Sequence, residues 1–144
     1  MALGIRNSNP QDFEDIIPLL RQLWPDKQIS EERLHEVFSR SLNSPSDGLF
    51  CAELDGKVVG FCAVTILNNF WQEGYTAYLS TMVVGEKHRS QGIGKLLTEK
   101  VCEFAKAKGC GSVELDSAFH RADAHRFYEN LGFQKRAYTF SKEV

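Results

Sequence analysis

The chain has 144 residues, 42% of them apolar and 25% charged, with 17 basic against 19 acidic side chains and a net charge of −2. That length suits a single domain, 1–144, with a real core, and the composition is that of a soluble globular protein. The balanced charge excludes the basic excess of a nucleic-acid-binding domain. No apolar run is long enough to cross a bilayer, and the N-terminal Met-Ala-Leu-Gly-Ile-Arg lacks a signal-peptide core, so a cytoplasmic protein without a membrane segment is expected. Cys51, Cys62, Cys102 and Cys110 show no CxxC spacing, and the first three sit in apolar runs as small hydrophobes. His120 and His125, with Asp116 or Asp123, match no metal-ligand spacing, and no metal is expected.

In chain order, Gly4 to Arg6 reads as a short strand, and Asn9-Pro10 punctuates the chain before a helix. Ile16, Ile17, Leu19, Leu20, Leu23 and Trp24 supply that helix's apolar face, with Pro18 inside it and Pro25 as its stop. Ser30 followed by Glu31-Glu32 starts a second helix, carrying Leu34, Val37, Phe38 and Leu42 at helical spacing. Residues 49–54 and 57–67 flank Asp55-Gly56, the strong signal for a two-residue type I′ hairpin turn. Gly60 interrupts the second of these strands, where close packing or a bulge is expected. Tyr75 to Val84 is the central strand. Ile93, Leu96, Leu97, Val101, Phe104 and Ala105 line a helix that Gly109 ends. Ser112 to Asp116 is a strand parallel to the central one through a right-handed crossover. Ala124, Phe127, Tyr128 and Leu131 define a short helix closed by Gly132, and 134–141 reads as a final strand or two. The order βααβββαβαβ describes an α/β protein with a mixed, largely antiparallel sheet and helices on both faces.

The organising stretch is Arg89-Ser90-Gln91-Gly92-Ile93-Gly94-Lys95, between the central strand and a helix. The first N–H groups of a helix lack intrahelical acceptors, and its dipole is positive there. Glycines let a ligand reach the main chain, and Lys87, Arg89 and Lys95 add cations, so the turn reads as a pyrophosphate cradle. Neither GxxxxGK[ST] nor GxGxxG is present.

Arg-x-x-Gly-x-Gly resembles the acetyl-coenzyme A loop of the GNAT superfamily of N-acetyltransferases. A second block, Ala124 to Phe133, lies where that family has one, and the likeness covers roughly Leu49 to the C-terminus. The resemblance implies the GNAT-like acyl-coenzyme A fold, with acetyl-coenzyme A as co-substrate held by Arg89, Ser90, Gln91, Gly92, Ile93, Gly94 and Lys95. It also implies that the main chain of Met82, Val83 and Val84 pairs with the pantetheine arm, Met82 or Val83 giving an N–H to the thioester oxygen. Tyr128 matches the family's tyrosine acid. A phenol titrates near 10 and a thiol near 8.5, so a phenol can protonate a leaving thiolate. The same Tyr128 also falls on the apolar stripe of its helix.

Several family members carry a carboxylate on the central strand, and Tyr78 to Met82 has none. Glu73, Asp116, His120 and water ordered by Ser80 or Thr81 are the alternatives for the base. Leu19 to Pro25 resembles the first helix of aminoglycoside 6′-N-acetyltransferases, whereas Asp116 to Tyr128 resembles aminoalkylphosphonate acetyltransferases. The implied acceptor is a primary amine on a small molecule. Trp24, Trp71, Glu73 and Tyr75 are expected around it, with Phe70 as a further wall. A cationic sugar would need carboxylates, and a phosphonate would need cations such as Arg121 and Arg126. Alternatives are acetylation of a protein N-terminus or lysine, and a regulatory module that binds acyl-coenzyme A without turnover. A homodimer is a further expectation from the family.

Overall fold

A computed structural model describes residues 2–144, which group into two compact units, one ending at Glu114 and one running Leu115–Val144. In the first, strand β1 (Leu3–Asn7) and a 3-10 turn (Pro10–Asp12) lead into helices α1 (Phe13–Leu23) and α2 (Glu31–Leu42). Strands β2 (Asp47–Leu54), β3 (Lys57–Asn69) and β4 (Gly74–Val84) follow, then helix α3 (Ile93–Ala107) and strand β5 (Cys110–Glu114). The second unit holds helix α4 (Ala122–Asn130).

Sheet order is β1-β2-β3-β4-β5; every pairing is antiparallel except β4 with β5, which is parallel across α3. At the β2–β3 turn Asp55 and Gly56 have φ of 50° and 84°, the two positive angles that a type I′ turn demands. Side chains alternate across the sheet. Leu49, Cys51, Phe61 and Val83 face α1 and α2, burying Ile16, Leu19, Leu20 and Phe38 against them. On the opposite face Phe50 meets Phe104 of α3 edge-on at 5.8 Å. A Cβ on Gly60 would lie 3.2 Å from Leu97 of α3 and 3.2 Å from the Val83 carbonyl, so close packing explains this glycine. Helices therefore cover both faces, each apolar stripe matching a sheet face.

The 3-10 turn is pinned to the sheet by Arg6, which forks onto Asp12 at 2.7 and 2.9 Å and also donates to Glu53. That guanidinium holds the buried Asp12 carboxyl below its ordinary value.

Two expectations change. Val37 is exposed, and α2 packs instead through Leu34, Phe38 and Leu42, the i, i+4, i+8 row. Residues 134–141 form no strand. Tyr138 and Phe140, alternating with Ala137 and Thr139, have the strand period, but a strand also needs a partner for its N–H and C=O groups, and no described strand pairs with them. No helix among the described residues is long and apolar enough to cross a membrane.

Candidate active site

The site starts from an irregularity in β4. Ala63 pairs with Thr81 but Val64 pairs with Leu79, which leaves Ser80 as an extra residue, a β-bulge whose hydroxyl donates to the Ala63 carbonyl at 3.3 Å. The bulge reverses the facing of everything beyond it. Leu79 faces α3 with Val64, whereas Val83 faces α1 and α2 with Phe61. Without the bulge both would share a face.

The bulge also marks where β4 loses a neighbour. β5 pairs only with Tyr75–Tyr78, so from Leu79 to Val84 the edge of β4 away from β3 carries no strand among the described residues. Which main-chain groups face that edge follows from the ladder's phase. Gly85 N–H donates to the Val59 carbonyl at 2.8 Å. Gly60 and Val84 are therefore a non-hydrogen-bonded pair, and Phe61 and Val83 a hydrogen-bonded one. Val83 uses both its main-chain groups on β3, while Met82 and Val84 turn theirs to the open edge. Sequence reasoning left Met82 and Val83 as equals; the ladder separates them.

Beyond β4, Gly85 and a 3-10 turn (Glu86–His88) lead to Arg89. Ser90 has φ of 63° and Gly92 of 81°. The left-handed region costs a non-glycine residue about 1–2 kcal/mol, so Ser90 stores strain in the turn, as residues at ligand clamps often do. Gly92 is the N-cap of α3 and offers no side-chain cap, and the first turn carries no acidic residue. The first intrahelical bond is from Leu96 N–H to the Gly92 carbonyl at 3.1 Å, which leaves the N–H groups of Ile93, Gly94 and Lys95 without helical acceptors. Lys95 then adds a cation to the positive end of the dipole, where carboxylates are ordinarily favoured. Arg89, Ser90, Gln91, Gly92 and Lys95 are exposed, Gly94 is half-buried, and Ile93 anchors the helix in the core. An anion on this turn would satisfy the donors and balance the charge together.

The expected acceptor residues do not converge. Trp71 and Glu73 lie in the β3–β4 turn and Tyr75 at the start of β4. Trp24 caps the far end of α1, next to Gln22, whose side chain touches Val84. About 30 Å of strand separates Tyr75 from Val84 at roughly 3.3 Å per residue, too far for Trp24 to share a small pocket with the other three. The same distance removes Glu73 from proton transfer at Met82. Trp24 instead packs against the core, and Trp71 is 81% exposed.

Tyr128 belongs to the second unit, on α4. Its ring is half-buried, edge-on to Phe127 at 5.2 Å and Phe133 at 5.5 Å. Its carbonyl accepts from Leu131 and Phe133 N–H, which closes the helix. In the same unit His125 Nε2 lies 2.9 Å from the Ala118 carbonyl, Asp123 pairs with Arg126, and Asp116 accepts from Thr139 at 2.7 Å. No group of three or more metal-type side chains is assembled among the described residues.

The pattern of the Acetyltransferase (GNAT) family matches residues 13–133. The chain belongs to that family. It is 30% identical over 138 residues to Uncharacterized N-acetyltransferase MJ1207 of Methanocaldococcus jannaschii, covering 92% of this chain and 61% of that one. It is 25% identical over 140 residues to the Aminoalkylphosphonate N-acetyltransferase of Salmonella typhimurium, covering 97% and 90%. Among solved structures, a putative acetyltransferase from Agrobacterium tumefaciens superimposes with a TM-score of 0.87 at 25% identity, covering 98% of this GNAT chain and 99% of the other. The chain spans about half to three-fifths of the length of the first curated relatives it matches. The GNAT assignment gives the sheet-and-helix architecture expected from the sequence.

One residue that sequence reasoning missed is Gln22, which bridges Val84 and Glu86. Nothing in its position on a helix marks it. Ser80 had a weak signal, two polar residues in the middle of an apolar strand.

Proposed function

We propose that this GNAT chain transfers the acetyl group of acetyl-coenzyme A to a primary amine of a small molecule, the amine attacking the thioester directly. The observation that carries the reading is the open edge of β4 running into a helix start whose first donors have neither helical acceptors nor a side-chain cap. These residues suit the cofactor's chemistry. Its amide-bearing arm matches a strand edge, and its pyrophosphate matches the positive turn.

Bound acetyl-coenzyme A supplies an activated acyl thioester. Met82 C=O and Val84 N–H would pair with the arm as an added strand does, leaving Met82 N–H for the thioester. Met82, not Val83, donates to the thioester oxygen as negative charge grows on it, since the Val83 N–H is held in the ladder. Main-chain N–H groups from Ile93 to Lys95 hold the pyrophosphate, with Arg89 and Lys95 adding charge and Ser90, Gln91 and Gly92 shaping the loop. Tyr128 is assigned the proton that passes from phenol oxygen to the departing sulfur, on its place in the Ala124 to Phe133 block. Water ordered by Ser80 or Thr81 takes the amine proton, Glu73 being remote. Support for a small acceptor comes from the relative named for aminoalkylphosphonate, matched over nearly its whole length.

The test is calorimetric titration with coenzyme A, followed by thiol release from acetyl-coenzyme A over a panel of aminoalkylphosphonates, amino sugars and peptide N-termini. Binding with turnover of a small amine supports the proposal. Turnover of peptides alone moves the function to protein acetylation, binding without turnover leaves a regulatory module, and absence of binding overturns the reading.

A further inference from the structure

The exit from β4 is held by a side chain from another element. Gln22 lies half-buried on the last turn of α1, and its Nε2 donates to the Val84 carbonyl at 2.9 Å. Its Oε1 accepts from Glu86 N–H, also at 2.9 Å. The two partners fix the amide's orientation, because only Nε2 can donate to a carbonyl and only Oε1 can accept from an N–H. The bridge therefore spans the last residue of β4 and the first residue of the 3-10 turn, with Gly85 between them. Gly85 N–H is tied to Val59, and His88 N–H returns to the Gly85 carbonyl at 2.8 Å. Every hydrogen bond in this junction thus faces the sheet, α1 or the turn itself.

The ladder's phase gives the bridge a second consequence. Val84 is a non-hydrogen-bonded position, so its carbonyl points to the open edge of β4. Between Thr81 and the turn, Met82 and Val84 would otherwise present two N–H and two C=O groups to that edge. With Gln22 on the Val84 carbonyl, the acceptor nearest the turn is occupied. An incoming strand-like ligand then finds Met82 N–H, Met82 C=O and Val84 N–H, and a register that would use the Val84 carbonyl is disfavoured.

We propose that Gln22 is a positioning residue: its amide closes the open edge of β4 at Val84, sets the register in which the pantetheine arm pairs, and holds the start of the phosphate turn at the end of the strand. The proposal rests on the acetyl-coenzyme A reading for its register half, whereas the hold on the turn does not need the ligand.

Two variants separate these parts. Gln22→Met keeps length and helix propensity and removes both bonds. Gln22→Glu keeps an acceptor for Glu86 N–H and sets an oxygen against the Val84 carbonyl. Amide hydrogen exchange at Glu86 and calorimetry with coenzyme A are read on the full chain, with melting temperature alongside. In Gln22→Met, Glu86 exchange should accelerate and the coenzyme A Kd rise roughly tenfold, the order expected for losing one to two net hydrogen bonds. In Gln22→Glu, Glu86 should stay protected while the Kd rises at least as far. Parent-like binding by both variants overturns the register half, and unchanged Glu86 exchange in Gln22→Met overturns the hold on the turn. Losses of binding that merely follow melting temperature in both variants overturn positioning altogether. If the parent chain itself binds no coenzyme A, the functional reading fails and takes the register half with it, while Glu86 exchange still decides the rest.

Discussion

Gly92 and Gly56 form a matched pair for testing whether the helix-start turn meets a ligand. Their φ angles are 81° and 84°, and a Cβ built on either meets no atom within 4 Å beyond the adjoining residues of the chain. Replacing either with alanine therefore adds no clash, only the cost of holding an L-residue in the left-handed region, about 1–2 kcal/mol. For a chain of this size that is a fall of roughly 3–6 °C in melting temperature, and the two variants should fall alike. Binding should divide them. Gly56 turns the β2–β3 hairpin, so Gly56→Ala should bind coenzyme A as the parent does. At Gly92 the new methyl stands on the N-cap of α3, beside the N–H groups assigned to the pyrophosphate, and affinity should drop by at least ~10-fold. Calorimetry and a thermal melt on the same samples measure both effects. Equal coenzyme A affinity in the two folded variants would refute the assignment of this turn to the ligand, whatever the stability data show.

The phase of the β3–β4 ladder predicts opposite fates for adjacent prolines. Met82→Pro removes an N–H that faces the open edge, so the chain should still fold while kcat drops by ~10²–10³, and Val83→Pro removes a ladder donor and should not fold, as circular dichroism would show. Tyr128→Phe keeps the ring against Phe127 and Phe133 but removes its proton, so kcat in the folded variant should fall by at least ~10²; an undiminished chemical step would falsify the acid role. Asp12 lies below its ordinary 3.8 because Arg6 favours the charged form. Its contribution is fully present above the unfolded value and is lost as pH falls through the lower, folded one. Asp12→Asn should therefore lower stability at pH 7 by roughly 2 kcal/mol, the Arg6 side being partly solvated, and flatten the acid limb of a pH-dependent urea titration.

Much of the fold was legible because its rules are local. Asp55-Gly56 announces positive φ at two successive residues, Gly92 and Gly94 after an apolar strand announce a helix start open to a ligand, and the face from Ile93 to Ala105 is a count of 3.6. The family resemblance rested on the Arg89 to Gly94 turn and the Ala124 to Phe133 block, and the matched span bears it out. What the sequence could not supply depends on partners elsewhere in the chain. Period-two alternation puts Leu79 and Val83 on one face; the bulge at Ser80, set by where β3 pairs, puts them on opposite faces. Residues 134–141 had the strand period but no strand among the described residues to pair with, and Trp24 looked like a neighbour of Trp71 until the length of β4 came between them. Met82 and Val83 are equivalent as letters, and only the hydrogen-bond phase, fixed through Gly85 and Val59, decides which N–H faces outward. Gln22 shows the same limit. A glutamine on a helix reads as surface, and it becomes part of the site because packing brings its amide to two unpaired groups at the end of another element. Backbone angles and periodicity belong to a few consecutive residues, whereas ladder phase, edge exposure and side-chain bridges belong to pairs of segments, and those exist only once the chain has folded.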